Sequence, residues 1–119
     1  MSGSNTAEQW GRLWRDAPSR LKELRFSVEK AEKSLIWSSI RDSLGKVDIA
    51  SLNTIEIGAG AGTISAAFAR HGARVTVLDY SQEALDVNTA LFESFGLKQE
   101  SLLADALDLP RSLLGRFDV

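Results

Sequence analysis

Residues 52–65 read LNTIEIGAGAGTIS, and the fold turns on them. A short apolar run, Thr54-Ile55-Glu56-Ile57, passes directly into glycines at alternate positions, Gly58, Gly60 and Gly62. The run has the length and β-branched content of a buried strand. The following TISAAFARHG reads as a helix ended by Gly72. Between the two the chain must turn sharply, and Gly58 takes such a turn without steric cost. Gly60 and Gly62 remove side chains that would stand between the backbone and a ligand. A helix that starts here presents unpaired N–H groups and the positive end of its dipole. The stretch is therefore expected to close a strand, open a helix and receive a polar or anionic group.

Working outward toward the C-terminus, the alternation continues. ARVTVLD is a second buried strand, and SQEALDVNTALFESFG is a helix that Ser81 caps and Gly96 ends. ESLLAD is a third strand, LPRSLLG a short helical turn with Pro110 near its start, and FDV the beginning of a fourth strand. Strands alternating with helices predict an α/β fold with a doubly wound parallel sheet of about three strands plus the start of a fourth. Such a sheet does not normally stop at that point, so the reading expects a chain cut within its fourth strand. The alternative is a terminal strand added to a neighbour.

Toward the N-terminus the period is helical. Trp10, Leu13, Trp14 and Ala17 share one face, and Pro18 marks a break. A second helix is expected over 19–44, with Leu21, Leu24, Val28, Ala31 and Leu35 on one stripe, Ile36, Ile40 and Leu44 on its flank, and Gly45 after its end. The predicted organisation is thus a helical segment over 1–46, a candidate lid, followed by an α/β domain over 47–119.

The totals bound the function. At 119 residues the chain suffices for one domain, and it has no cysteine, so disulfides, thiolate catalysis and cysteine metal sites are excluded. No apolar run approaches the length of a membrane span, and MSGSNTAEQW has no signal-peptide character, which points to a cytoplasmic protein. Residues 1–46 hold nine Lys/Arg against six Asp/Glu, and 47–119 five against ten, a split without a continuous basic stripe.

The glycine loop matches neither of two common phosphate-binding patterns. The sixth position from Gly58 is Thr63, where a dinucleotide fingerprint needs Gly or Ala, and no Gly-Lys-Ser/Thr follows as a P-loop requires. What stands here is an acid two residues before Gly-x-Gly-x-Gly. Asp79 ends the second strand, 21 residues after Gly58, where a carboxylate can accept from both hydroxyls of a ribose. Tyr80 can lay its ring against an adenine, and Asp105, at the end of the third strand, can accept from an amino group. Each has a plainer role available. Glu56 can be a strand-end charge, Asp79 a helix-capping acid before Ser81, Tyr80 ordinary packing, and Asp105 or Asp108 a cap for the turn at Pro110.

Taken in order, TIEIGAGAGTIS, VTVLDYS, LLADALDLP and FDV resemble the first half of a class I S-adenosylmethionine-dependent methyltransferase, over about residues 52–119. The resemblance implies that Gly58, Ala59, Gly60 and Gly62 cradle the methionine end of S-adenosyl-L-methionine and that Glu56 helps hold its amino group. It implies Asp79 for the ribose, Tyr80 beside the adenine, Asp105 for the adenine amino group and Ala106 for backbone contact next to it. It places the acceptor and the catalytic residues beyond Val119, so no catalytic residue is named and no metal is expected.

The absence of a basic stripe favours a small-molecule acceptor over a nucleic acid. Two rivals stay open, an NAD(P)-dependent oxidoreductase on a related fold and a non-catalytic module that pairs through a sheet edge. His71, the single histidine, is expected as a solvated helix-end residue far from the loop, and Trp10, Trp14 and Trp37 as helix–sheet packing. A substrate contact from these tryptophans is the alternative.

Overall fold

The computed structural model describes residues 21–119. The expected helix around Trp10–Ala17 and the break at Pro18 lie outside the described residues. The elements in chain order are α1 (Leu21–Ala31), α2 (Leu35–Leu44), a 3-10 turn (Ile49–Ser51), β1 (Asn53–Ile57), α3 (Thr63–Arg70), β2 (Arg74–Asp79), α4 (Gln82–Ser94), β3 (Glu100–Leu103) and a second 3-10 turn (Arg111–Leu113).

The three strands form one parallel sheet in the order β1-β2-β3, with Thr54 opposite Val75, Glu56 opposite Val77 and Leu78 opposite Leu102. Alternation sends Val75 and Val77 to one face, where they join Ala66, Ala67, Leu85, Leu91 and Phe92 in a single core. Both crossover helices, α3 and α4, therefore cover the same face, as right-handed βαβ units on consecutive strands require. On the other face Ile55 and Ile57 share a hollow with Leu109, Pro110, Leu113 and Phe117, so the segment after β3 returns across the sheet.

That return places Phe117–Val119 on the free edge of β1. The Asp118 N–H donates to Asn53 O (2.7 Å), and the Ile55 N–H donates to Val119 O (3.0 Å). The Asp118 carboxylate also accepts from the Asn53 N–H (2.8 Å). The chain thus leaves β1 toward β2 on one side and comes back to β1 on the other. The reversal falls at the C-terminal end of β1, where doubly wound sheets open a crevice for ligands.

The single helix expected over 19–44 is two helices. Residues 32–34 interrupt it, and Ser34 caps α2 by accepting from the Trp37 N–H (3.1 Å). The break lets α2 turn a different side inward. Trp37 is 3% exposed and packs edge-on against Phe68 at 5.1 Å, while Leu35, expected on the inner stripe, is 86% exposed. Gly45 ends α2 with φ 62, as its position suggested.

Helix α1 lies over α3 and α4. Its Val28 enters the common core, and Arg25 donates to Ser94 O and lies 4.4 Å over the Phe95 ring. A guanidinium at the carbonyl end of α4 is favoured by the helix dipole as well as by the ring. Among the described residues no helix is long and apolar enough to cross a membrane.

Candidate functional site

The site is built at the C-terminal ends of the strands. β1 ends at Ile57, and the next five residues turn the chain into α3 with Gly58, Gly60 and Gly62 all at positive φ (68°, 56° and 73°). No side-chain-bearing residue takes three such conformations in so short a span at low cost, which is why glycine stands at each. The loop is pinned to β2, because the N–H groups of Gly58 and Ala59 both reach Leu78 O, at 2.8 and 3.3 Å.

Asp79, the last residue of β2, is 7% exposed. Its Oδ2 accepts from the Gly60 N–H (3.0 Å), and its Oδ1 accepts from the Ser81 N–H (3.0 Å). One carboxylate therefore ties the glycine loop to the start of α4, which Ser81 caps by accepting from the Ala84 N–H. The capping role and a ligand-facing role are compatible, since each carboxylate oxygen has a second lone pair. The strand ladder continues beyond Asp79, whose carbonyl accepts from the Ala104 N–H (3.0 Å).

Glu56 lies on the helix-covered face of β1, where its Oε1 accepts from Ser65 Oγ (2.5 Å) in the first turns of α3. Burial pushes its carboxyl above the ordinary carboxylate range, and the Ser65 hydrogen bonds oppose that shift. A half-buried acid whose donors all come from Ser65 has lone pairs left for a further one, and a cation would relieve its desolvation.

Tyr80 is half-buried and stands near two acids. Its phenol is raised above the ordinary tyrosine value, first by partial desolvation and then by the carboxylates of Asp79 and Asp105. Asp105 is exposed two residues past β3, and its Oδ1 accepts from the Leu107 N–H (2.9 Å). That bond, with the Asp108 N–H to Asp105 O bond (3.0 Å), shapes a turn on which Ala106 is exposed. The carboxylate thus organises its own loop, while the turn at Pro110 has no side-chain cap.

The structure brings Gly58, Ala59, Gly60, Gly62, Asp79 and Tyr80 into one neighbourhood, with Asp105 and Ala106 on the adjoining β3 loop. Glu56 sits beneath, against α3. Sequence reasoning missed two residues. Ser65 escaped as an ordinary helix serine. Asn88, fully buried in α4, bonds Ala61 O (3.0 Å) from behind the loop. The signal for Asn88 was available, since a polar residue on the stripe of Ala84, Leu85, Leu91 and Phe92 needs a partner.

His71 lies at the opposite end of the strands, after α3, as expected. It is not merely solvated there. Its Nε2 lies 2.9 Å from Glu32 Oε2, and its ring leans on Trp37 at 5.2 Å. With Arg70, which reaches Glu32 at 3.5 Å, it holds the break between α1 and α2 against α3.

A parallel α/β sheet with a glycine turn after β1 and an acid ending β2 defines the Rossmann-like class of fold. The family model for a methyltransferase domain matches residues 55–119, more than half of the chain, and the protein belongs to that family. Among solved structures it is similar to PH1948 from Pyrococcus horikoshii, provisionally described as an RNA methyltransferase, at 25% identity and a TM-score of 0.55. The match covers 76% of this chain and 52% of that one, so the protein spans about half the length of this relative. No curated protein matches.

Proposed function

We propose that the chain is the cofactor-binding part of an S-adenosylmethionine-dependent methyltransferase acting in the cytoplasm, with residues 47–119 as its cofactor domain. The observation that carries the reading is the bond between the Gly60 N–H and Asp79 Oδ2, which joins the glycine turn after β1 to the acid ending β2. In this reading the loop Gly58, Ala59, Gly60 and Gly62 receives the methionine end and Glu56 its ammonium group. Asp79 accepts from the ribose hydroxyls through its remaining lone pairs. Tyr80 lies along the adenine, and Asp105 and Ala106 meet its amino edge.

S-Adenosylmethionine would supply an electrophilic methyl group. The contribution of this chain is to bind and orient it, the part of catalysis that rests on positioning.

Calorimetric titration of the folded chain with S-adenosylmethionine, S-adenosylhomocysteine and NAD tests the reading. Binding of the first two with NAD silent supports it. Preference for NAD moves the chain to the oxidoreductase reading, and silence from all three leaves an interaction module.

For the acceptor, the charge distribution supports a small molecule. The likeness to PH1948 favours a second reading, in which the acceptor is RNA. Filter retention of labelled RNA separates the two. Binding that weakens steeply with salt favours RNA, because each neutralised phosphate releases counterions.

A further inference from the structure

Asn88 is a buried polar side chain with no part in the binding roles above. It is 0% exposed in the middle of α4. A buried amide is tolerated only when its groups are bonded, and here both are. Nδ2 donates to Ala61 O (3.0 Å), and Oδ1 accepts from Gln99 Nε2 (2.8 Å). The Ala61 carbonyl can only accept, which fixes the orientation of the amide. The second hydrogen of Gln99 Nε2 is shared between Thr89 Oγ1 (3.1 Å) and Ser101 Oγ (2.9 Å), so the arrangement runs from the start of β3 to the glycine loop.

The fit is tight as well as polar. A Cβ placed on Gly62 would run into the Asn88 amide, so the loop lies directly on this side chain. Ala61 packs with Val87, and Leu24 of α1 closes over both.

We infer that Asn88 is a positioning residue for the glycine loop. Asp79 holds the Gly60 N–H on one side, and Asn88 holds the Ala61 carbonyl, one residue on, from behind. Glycine main chain loses more freedom on ordering than any other, and these two anchors remove that freedom before a ligand arrives. Gln99 acts one step further back, by orienting the amide. The effect on the loop stands on geometry alone; its effect on affinity rests on the cofactor reading above.

The test uses the full chain with Asn88→Ala and Gln99→Leu, and two readouts. Hydrogen exchange follows the Gly60 and Gly62 amides, which bond Asp79 and Ala59 O, against Val77 in the core of β2. Calorimetry follows affinity for S-adenosylhomocysteine. Asn88→Ala is expected to speed exchange at Gly60 and Gly62, and to weaken binding, each by about tenfold, the scale of one lost buried hydrogen bond. Val77 should stay protected.

Unchanged exchange in the loop overturns the inference, as does undiminished affinity in a chain whose wild type binds. If the wild type does not bind S-adenosylhomocysteine, the cofactor reading falls and loop exchange alone decides the positioning role. If Asn88→Ala loses protection at Val77 too, Gln99→Leu decides. It removes only the orienting partner, and faster loop exchange in that variant supports the inference while unchanged exchange overturns it.

Discussion

Both oxygens of the Asp79 carboxylate accept main-chain N–H groups, one from the glycine loop and one from the start of α4. Asp79→Ala therefore removes an anchor as well as a proposed ribose contact. Affinity for S-adenosylhomocysteine should fall by about 1.5–3 kcal/mol, the usual worth of hydrogen bonds to a charged group. Calorimetry reads the change, and equal affinity would take Asp79 out of the site. Glu56 makes a prediction in pH. Its folded-state carboxyl is raised by burial, so the folded chain holds that proton more tightly than the unfolded one. Its contribution to stability is present below the ordinary glutamate value and is lost as pH rises through the raised one. Urea unfolding of wild type and Glu56→Gln should show wild type losing ground over that window and running parallel above it. Parallel curves throughout would show equal titration in both states. Affinity for the ammonium-bearing ligand should move the opposite way, falling as pH falls through the window, and stay flat in Glu56→Gln. At this scale Asp79 was legible because a carboxylate ending a buried strand is conspicuous, whereas Asp105, expected at the end of β3, lies exposed two residues beyond it. Ser65 was not, and Asn88 was legible only as a buried polar group in need of a partner, because those partners lie nine and 27 residues away.

Elements were legible where their periodicity agreed with packing. The strands and the two crossover helices fall within a residue or two of their expected bounds, since apolar runs, Ser81, Gly72 and Gly96 punctuate them. The long N-terminal helix failed for a definite reason. The stripe through Leu35 continued the apolar period, and nothing local outweighed it. The deciding contact is tertiary, Trp37 on Phe68, and Ser34 serves it by starting a new helix. Ser34→Ala should therefore destabilise the chain by about 1 kcal/mol, the usual cost of a lost N-cap. Urea denaturation reads this, and no change would mean that packing alone fixes the break. Gly62→Ala tests the loop. A side chain at φ 73 is strained and meets Asn88 besides, so a loss of roughly 1–3 kcal/mol is expected by the same measurement.

At the scale of the molecule, the helical segment and the sheet share one core. Val28 of α1 and Trp37 of α2 belong to the same cluster as Val75, Val77 and Phe92. Trp37→Ala should cost about 3–5 kcal/mol, as large-to-small changes at buried aromatics do. Residues 47–119 alone should accordingly lack a cooperative unfolding transition by circular dichroism, and a sharp transition would show that the sheet is self-sufficient. Part of this sharing was legible, since Trp37 was expected to pack helix against sheet, but the amphipathic stripe of α1 states that a face is buried without stating against what. The edge of β1 carries a last consequence. Asp118 meets Asn53 through both its main-chain N–H and its carboxylate, and the Ile55 N–H reaches Val119 O, so alignment along that edge is held at two adjacent rungs. Side chains alternate between faces, and a slip of one residue there would exchange inside for outside for Phe117, Asp118 and Val119. These two rungs act as a keyway at one corner of the sheet, admitting a single alignment of the edge and refusing its neighbours.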